Sequence, residues 1–364
     1  MKILAHYYTH KPGGLCHRLY RLLNTLATTG DEVHYFTLDL PPKDLVNTSV
    51  HTHVIPFWTT KRSGLLFWIS FILFIPIYLT IKQREIKSER IVAFGAIYAA
   101  LLAIPKYFTD AKLILFIRSL VFKNNRINNK SSIALNLSDY LERIGALLAD
   151  HVVFMSETMK RDFQDFFKLK VKSSEILPND IPKATQASLS LKDLLNIPAE
   201  TKLILSAGVI DKRKDLGTLM QAFNSVTKER GDHNLHLVII GDGPERSSIK
   251  NQFAIGNAVH MPGWIDNLPL YLGDDSLYVH PSLHEGMSNV VLEALAAKLP
   301  ILAADTPENR EMFGENAPNL FTAGNSDALK VLIERIESDP NFRNEIVKLT
   351  EQIREKLTFD WDKR

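Results

Sequence analysis

Apolar residues recur along this chain in two alternating rhythms. Short apolar runs at residues 2–8, 32–38, 53–57, 90–96, 112–118 and 151–156 each read as a strand. Helical segments lie between them, the first with Leu15, Leu19, Leu22, Leu23 and Leu26 at helical spacing and Gly30 as its stop. The alternation resumes with strands at 202–208, 235–240, 259–265 and 277–282 and helices at 216–229 and 289–298. Pro300 ends the last of these before another apolar strand. Strand and helix alternating at this spacing predict parallel sheets covered by helices on both faces, with ligands bound beyond the carboxyl ends of the strands.

One apolar run fits neither rhythm. Residues 65–81 are apolar nearly all round, between Lys61-Arg62 and Lys82-Gln83-Arg84. A membrane-spanning helix needs about 20 such residues, and spanning would put the strands on either side of the run on opposite sides of a bilayer. A second reading buries the helix on both sides inside the first domain. A third rests its outer face, with Phe67, Trp68, Phe71, Phe74 and the flanking bases, on an anionic membrane surface.

At 364 residues the chain exceeds what one core covers. Residues 182–190, rich in Ser, Thr, Ala and Lys without apolar period, read as a linker. The predicted division is a Rossmann-like domain over 1–183, a second over 191–340, and a C-terminal helix or tail over 341–364. A hydrophobic share of 45% and a charged share of 23% describe a globular protein, and a formal net charge of +2 argues against general affinity for nucleic acid. Cys16 is the only cysteine, so no internal disulfide forms and a reducing compartment fits. Residues 1–5 run straight into a strand with no signal peptide before it, which gives a cytoplasmic expectation.

The candidate chemistry gathers near residue 285. Ser288 and Asn289 are good helix caps, so the first amides of the following helix, at Ser288, Asn289 and Val290, face a partly positive pocket that suits an anion such as a diphosphate. Glu293 lies four residues beyond Asn289 on the same helix face, beside such phosphates, where a carboxylate suits ribose hydroxyls. Glu285, in a tight turn with Gly286 and Met287, lies on the other side, where a sugar would be. Gly13-Gly14 after the first strand lets backbone approach a ligand closely, or is a plain turn. Arg118, ending an apolar strand, points toward the binding side. Residues 122–132, with four asparagines, read as a solvated loop or as a cleft loop meeting an anionic or lipid-linked acceptor. Gly241-Asp242-Gly243 carries Arg246 where a dinucleotide fingerprint needs its third glycine, so NAD binding is not supported.

The run Pro281-Ser282-Leu283-His284-Glu285-Gly286-Met287-Ser288-Asn289-Val290-Val291-Leu292-Glu293-Ala294 resembles the signature of retaining GT-B glycosyltransferases of glycosyltransferase family four. The resemblance covers nearly the whole chain and is closest over 200–305. It implies two Rossmann-like domains facing a cleft, with a nucleotide-sugar, UDP the expected nucleotide, held mainly by the second. In that family the first glutamate faces the donor sugar and the second holds the ribose. A lysine matching Lys214 stabilises the leaving diphosphate; by itself Lys212-Arg213-Lys214 reads as a solvated charge run. The family's arginine position is Val209 here, which leaves Arg213, or Arg118 across the cleft, to supply the missing cation. Arg118 also stands where relatives often have histidine. Gly208 and Gly243 lie in turns that border the nucleotide in relatives. Trp264 and Ile265 follow the glycine beside the base, where Trp264 either stacks on it or sits at a core edge.

The implied reaction is transfer of a hexosyl or N-acetylhexosaminyl group, with retention, to a hydroxyl of a glycan or lipid-linked acceptor in surface polysaccharide biosynthesis. The enzyme would act at the inner face of the cytoplasmic membrane. No Asp-x-Asp metal-binding motif stands where an inverted-topology transferase would need one, and no metal is expected. The rival readings are a GT-B epimerase or phosphorylase, and a non-catalytic GT-B binding subunit. Relatives often continue from Phe-x-Trp into a helix returning to the first domain; after Phe359-Asp360-Trp361 this chain has three residues, so a short or absent strap is expected.

Overall fold

The computed structural model describes residues 1–11, 14–127, 132–182, 189–230, 234–253, 256–265, 268–273 and 276–360. The chain divides between Leu177 and Pro178 into two units.

In the first unit the strands are β1 (Lys2–His6), β2 (Glu32–Thr37), β3 (His51–Val54), β4 (Arg90–Phe94), β5 (Lys112–Ile117), β6 (His151–Phe154) and β7 (Ser174–Ile176). They pair in parallel in the order β3-β2-β1-β4-β5-β6-β7. Central strands such as β4 and β5 are almost wholly apolar and buried, as a sheet covered on both faces requires. The crossovers carry α1 (Gly14–Thr28), α2 (Leu65–Ile86), α3 (Ala96–Tyr107), α4 (Val121–Ile127), α5 (Ser132–Leu148) and α6 (Glu157–Phe167). The polar stretch expected as a loop after β5 is helical over Val121–Ile127, because Phe122 and Asn125 are buried and Phe122 stacks on Phe166 at 4.0 Å. Residues 128–131 lie outside the described residues.

Helix α2 settles part of the question left by the apolar run. Phe67, Phe71, Ile75, Leu79 and Gln83, four residues apart, form a buried stripe. Leu65, Leu66, Ile69, Leu73, Ile77 and Ile81 are exposed, Leu73 at 65% and Ile77 at 64%. Burial on both sides is therefore excluded within this chain. Spanning is excluded as well, because α2 joins β3 to β4 within one parallel sheet. Phe67 and Phe71, expected on the outer face, belong to the inner one.

The second unit contains α7 (Leu191–Leu195), β8 (Lys202–Ala207), α8 (Leu216–Arg230), β9 (Leu235–Ile240), α9 (Arg246–Gln252), β10 (Val259–Gly263), β11 (Ser276–His280), α10 (Asn289–Ala296), β12 (Ile301–Asp305), α11 (Pro307–Phe313), β13 (Leu320–Thr322), α12 (Ser326–Ser338) and α13 (Pro340–Leu357). Its parallel sheet runs β10-β9-β8-β11-β12-β13. Two predicted boundaries are corrected. Ile181 donates its N–H to the Leu357 carbonyl at 3.1 Å, so the residues just after Leu177 pack with the second unit rather than closing the first. Helix α13 is no separate tail: its Phe342, Ile346, Ile353 and Leu357 are buried in the cores on the two faces of the second sheet. Residues 183–188 of the linker and 361–364 lie outside the described residues.

Candidate active site

Strand order in the second sheet reverses between β8 and β11, and ligands of open α/β sheets bind beyond the carboxyl ends of such a pair. After β8 the chain makes a turn through Gly208 into a short 3-10 helix, Lys212–Lys214, capped by Asp211. Gly208 has φ +129, and a Cβ there would lie 3.1 Å from Cε and Nζ of Lys214, so the lysine side chain passes directly over the glycine. Lys214 is buried and its Nζ lies 2.6 Å from Oε1 of Glu285, in the loop after β11. Arg213 Nη1 is 3.6 Å from Glu285 Oε2, and its Nη2 is 2.8 Å from Asp211. The Leu283 N–H donates to the Arg213 carbonyl at 2.8 Å, which ties the two loops together.

Burial alone would push the Glu285 carboxyl up. The charges of Lys214 and Arg213, with a smaller contribution from His280, outweigh it and hold the group at about 2. Glu285 is therefore a carboxylate at neutral pH and no proton donor; it can accept hydrogen bonds from hydroxyls. His280, at the end of β11, is pushed down to about 3 by burial and by Lys214, so it is neutral. Tyr278, on the same strand face as His280, is fully buried. Burial raises its pKa against a backbone hydrogen bond at Ala207 that lowers it, and the charges of Glu293 and Glu285 add to the rise.

Helix α10 opens beside this cluster. Ser288 stands at the N-cap, but its hydroxyl accepts no capping bond, contrary to expectation. Asn289 is engaged elsewhere, accepting from Asn179 Nδ2 at 3.1 Å, while the Asn179 N–H donates to Met287 Sδ at 3.1 Å. The first-turn amides of a helix have no intrahelical acceptor, so those of α10 are open to an anion, with Glu293 one turn along. Among the described residues, no group of three or more His, Cys, Asp or Glu side chains could hold a metal ion.

The model of the glycosyl transferases group 1 matches residues 190–353, and that of glycosyltransferase family 4 matches residues 12–182. The chain belongs to the group 1 glycosyltransferases. Among curated proteins it is similar to the N-acetylgalactosamine-N,N'-diacetylbacillosaminyl-diphospho-undecaprenol 4-alpha-N-acetylgalactosaminyltransferase of Campylobacter jejuni, 27% identical over 51% of this chain and 51% of that one. It is also similar to the lipopolysaccharide core biosynthesis glycosyltransferase LpsE of Rhizobium meliloti, 26% identical over 42% of this chain and 45% of that one. The chain thus spans about half the length of the curated relatives it matches. Among solved structures, that of Anabaena HepE in complex with UDP superimposes with a TM-score of 0.75 at 16% identity, covering 99% of this chain and 96% of that one. That likeness gives the fold, GT-B.

Within this glycosyltransferase chain the structure brings together Glu285, Lys214, Arg213 and Gly208, with Gly286, Met287, Ser288, Asn289, Val290 and Glu293 following in the same loop and helix. Lys212-Arg213-Lys214 is not a solvated run, since Lys214 is buried. Arg213 takes a place beside Glu285, while Val209, where the family has arginine, is 42% exposed. Gly243 has a structural reason of its own: a Cβ there would lie 2.3 Å from the Ile210 carbonyl oxygen. Trp264, just past β10, is 53% exposed and so is not a core-edge residue, whereas Ile265 packs on the core. In the first unit, Gly14 opens α1, and Gly13 lies outside the described residues. Arg118 is buried at the end of β5 and donates to the Leu177 carbonyl at 3.5 Å. Sequence reasoning passed over Tyr278, His280, His284 and Glu308. Alternation along β11 places Tyr278 and His280 on one face, a signal that was available; the pairing of His284 with Glu308 was not.

Proposed function

We propose that this protein transfers a hexosyl or N-acetylhexosaminyl group from a nucleotide-sugar, with UDP the expected nucleotide, to a hydroxyl of a glycan or lipid-linked acceptor, with retention at the anomeric carbon. The observation that carries the reading is the buried Lys214–Glu285 pair beside the start of α10. A nucleotide-sugar places two needs in one spot: positive charge for the diphosphate and acceptor groups for sugar hydroxyls. Lys214, Arg213 and the α10 amides meet the first, and Glu285 meets the second. Glu293 takes the ribose, and Trp264 offers its exposed ring to the base.

In the reaction the bond from the anomeric carbon to the diphosphate oxygen breaks while the acceptor oxygen bonds to that carbon on the same face. The acceptor's proton passes to the departing diphosphate. Negative charge grows on that leaving group, where Lys214 and Arg213 stabilise it in a water-poor setting. These two cations supply the charge, so the proposal needs no metal. Surface polysaccharide assembly is supported by the relatives' names, one acting on a diphospho-undecaprenol glycan and one in lipopolysaccharide core biosynthesis.

An acceptor of that kind lies at a membrane, and the outer row of α2 suits a peripheral contact on the cytoplasmic side. Its best 18-residue window has a mean hydropathy of 2.0. Ser70 and Thr80 return their hydroxyl protons to the Leu66 and Pro76 carbonyls at 2.7 Å, so neither interrupts the apolar surface. The flanking bases contribute less than their number suggests: Arg62 is paired with Asp39, and Lys82 with Glu85. Vesicle binding is accordingly expected to survive raised salt.

The test begins with thermal shift against UDP-, GDP- and dTDP-sugars, since a bound donor raises the melting temperature by mass action. Transfer from the selected donor to a membrane extract follows, with NMR of the product for anomeric configuration. No shift with any donor defeats the reading. Shift without transfer to any acceptor fraction points to the binding subunit, and turnover that needs no acceptor points to an epimerase. Flotation with phosphatidylglycerol-containing vesicles tests α2: a protein that stays at the bottom of the gradient, or that dimerises through this face, has no membrane contact there.

A further inference from the structure

The loop that carries Glu285 is held by three consecutive residues, each to a different element. Leu283 donates its N–H to the Arg213 carbonyl at 2.8 Å. Glu285 pairs with Lys214 at 2.6 Å. Between them His284 turns the other way, its Nδ1 lying 2.7 Å from Oε1 of Glu308 in the first turn of α11. The carboxylate only accepts, so the imidazole carries its proton on Nδ1. Both side chains are buried, with exposures of 8% and 6%. Two ionisable groups removed from water carry a desolvation cost that an apolar pair would avoid, so position rather than stability is what such a pair supplies.

The start of the helix that carries Glu308 is anchored on both sides of it. Thr306 caps α11 by accepting from the Asn309 N–H at 3.3 Å, and buried Asn309 donates to the Ala304 carbonyl at 2.7 Å. Arg310 forks onto Asp305 at the end of β12. The peptide between His284 and Glu285 is planar, with their Cα atoms about 3.8 Å apart. A ring fixed on Glu308 therefore fixes the root of the Glu285 side chain.

We propose that Glu308, acting through His284, is a positioning residue that sets where Glu285 stands against Lys214 and the donor sugar. This rests on the donor-site reading above for its effect on turnover, but not for its effect on the loop. Neither residue touches the reacting atoms; the pair works by holding the loop from the β12–α11 side while Arg213 and Lys214 hold it from the β8 side.

Two measurements separate the pair's role from that of the site. Hydrogen exchange by mass spectrometry on peptides covering 281–288 needs no donor. Glu308→Ala and His284→Ala should speed exchange there at least tenfold, while Glu308→Gln, whose amide oxygen still accepts from Nδ1–H, should keep most of the protection. Unchanged protection in both alanine variants overturns the proposal. The second measurement is turnover of whichever of UDP-glucose, UDP-N-acetylglucosamine and GDP-mannose the wild type uses. Glu308→Ala should lower kcat by on the order of 100-fold, the cost of a misplacement of about 1 Å, with UDP or GDP affinity within twofold of wild type and Glu308→Gln restoring most of the rate. Equal losses in kcat and in nucleotide affinity, or no rescue by Glu308→Gln, also overturn it. If the wild type uses none of these donors, the donor-site reading fails while exchange still decides the loop. Should an alanine variant not fold, Glu308→Gln and His284→Gln give the exchange comparison on folded protein: protection kept in the first and lost in the second supports the pair, and no difference from wild type in the second overturns it.

Discussion

Where strand order reverses in the first sheet, between β1 and β4, the chain sets rings. Tyr7 and Tyr8 follow β1, and Tyr98 lies 5.0 Å from the first and 6.2 Å from the second. His6 lies 5.8 Å from Phe71, and Tyr8 lies 5.4 Å from Trp68. At the same point of the second sheet, between β8 and β11, it sets charges: Arg213, Lys214 and Glu285. Both sheets wind the same way, yet one reversal point is an aromatic block and the other an ion cluster. Topology thus fixes where a site can be, and the loop residues decide what it does. The two also differ in how they tolerate burial. Rings pack without counter-charges, whereas Glu285 keeps its charge only because two cations face it. The buried histidines obey the same physics in both units, His6 being pushed to about 4 and His280 to about 3.

The comparison is sharpened most by removing one member from each block. Lys214→Ala should lower kcat by about 100- to 1,000-fold, because the charge it faces grows in the transition state. Tyr98→Leu in the first unit should lower the melting temperature and leave nucleotide affinity within twofold of wild type. A change confined to KM in Lys214→Ala would make the lysine a ground-state clamp. Next in size, Glu293→Ala should weaken donor binding by about 30-fold, roughly 2 kcal/mol. Glu285→Ala should affect turnover more than binding; calorimetry and initial rates together decide, and equal losses in both would erase the division of roles. On α2, Leu73→Asp with Ile77→Asp should cut vesicle binding about tenfold or more, since each removes buried apolar area and adds charge. Vesicle binding unchanged by both substitutions would remove lipid contact from this face.

The smallest effect concerns Glu142 in α5. Burial, then the charge of Asp139, raises its carboxyl to about 8, so the folded state holds a proton that the unfolded chain releases near its ordinary 4.5. Its folded pKa is the higher one, so stability falls as pH rises from about 4.5 to about 8. Glu142→Gln should therefore raise the melting temperature by a few degrees at pH 8 and by less at pH 5; an equal change at both would mean the carboxyl is not held protonated.

Much of this was legible in the residues. Apolar runs located nearly every strand because buried parallel strands leave little choice of side chain, although β7 and β13, with only three residues each, escaped. That Glu285 and Glu293 flank one helix start was legible from their spacing, whereas Lys214 was singled out only by the family resemblance. What the sequence did not disclose depends on contacts between distant segments. The pairing of Asn289 with Asn179, across 110 residues, displaced the expected cap. The inner and outer faces of α2 could not be told apart where both are apolar, since helical periodicity needs polar residues to mark it. The helix at Val121–Ile127 was hidden by its asparagines, one of which is buried.

The crossing of the turns after β8 and β9 also limits how this chain can diverge. A Cβ on Gly241 would lie 1.9 Å from the Gly208 carbonyl oxygen, and one on Gly243 would lie 2.3 Å from that of Ile210. Neither turn can change alone, because each glycine is required by the backbone of the other strand's loop. Divergence at this site is therefore barred from these backbone positions and must work through the side chains between them. Val209, exposed on the same turn, is the step left open, and the arginine of its relatives could be lost there without disturbing the frame that holds Lys214.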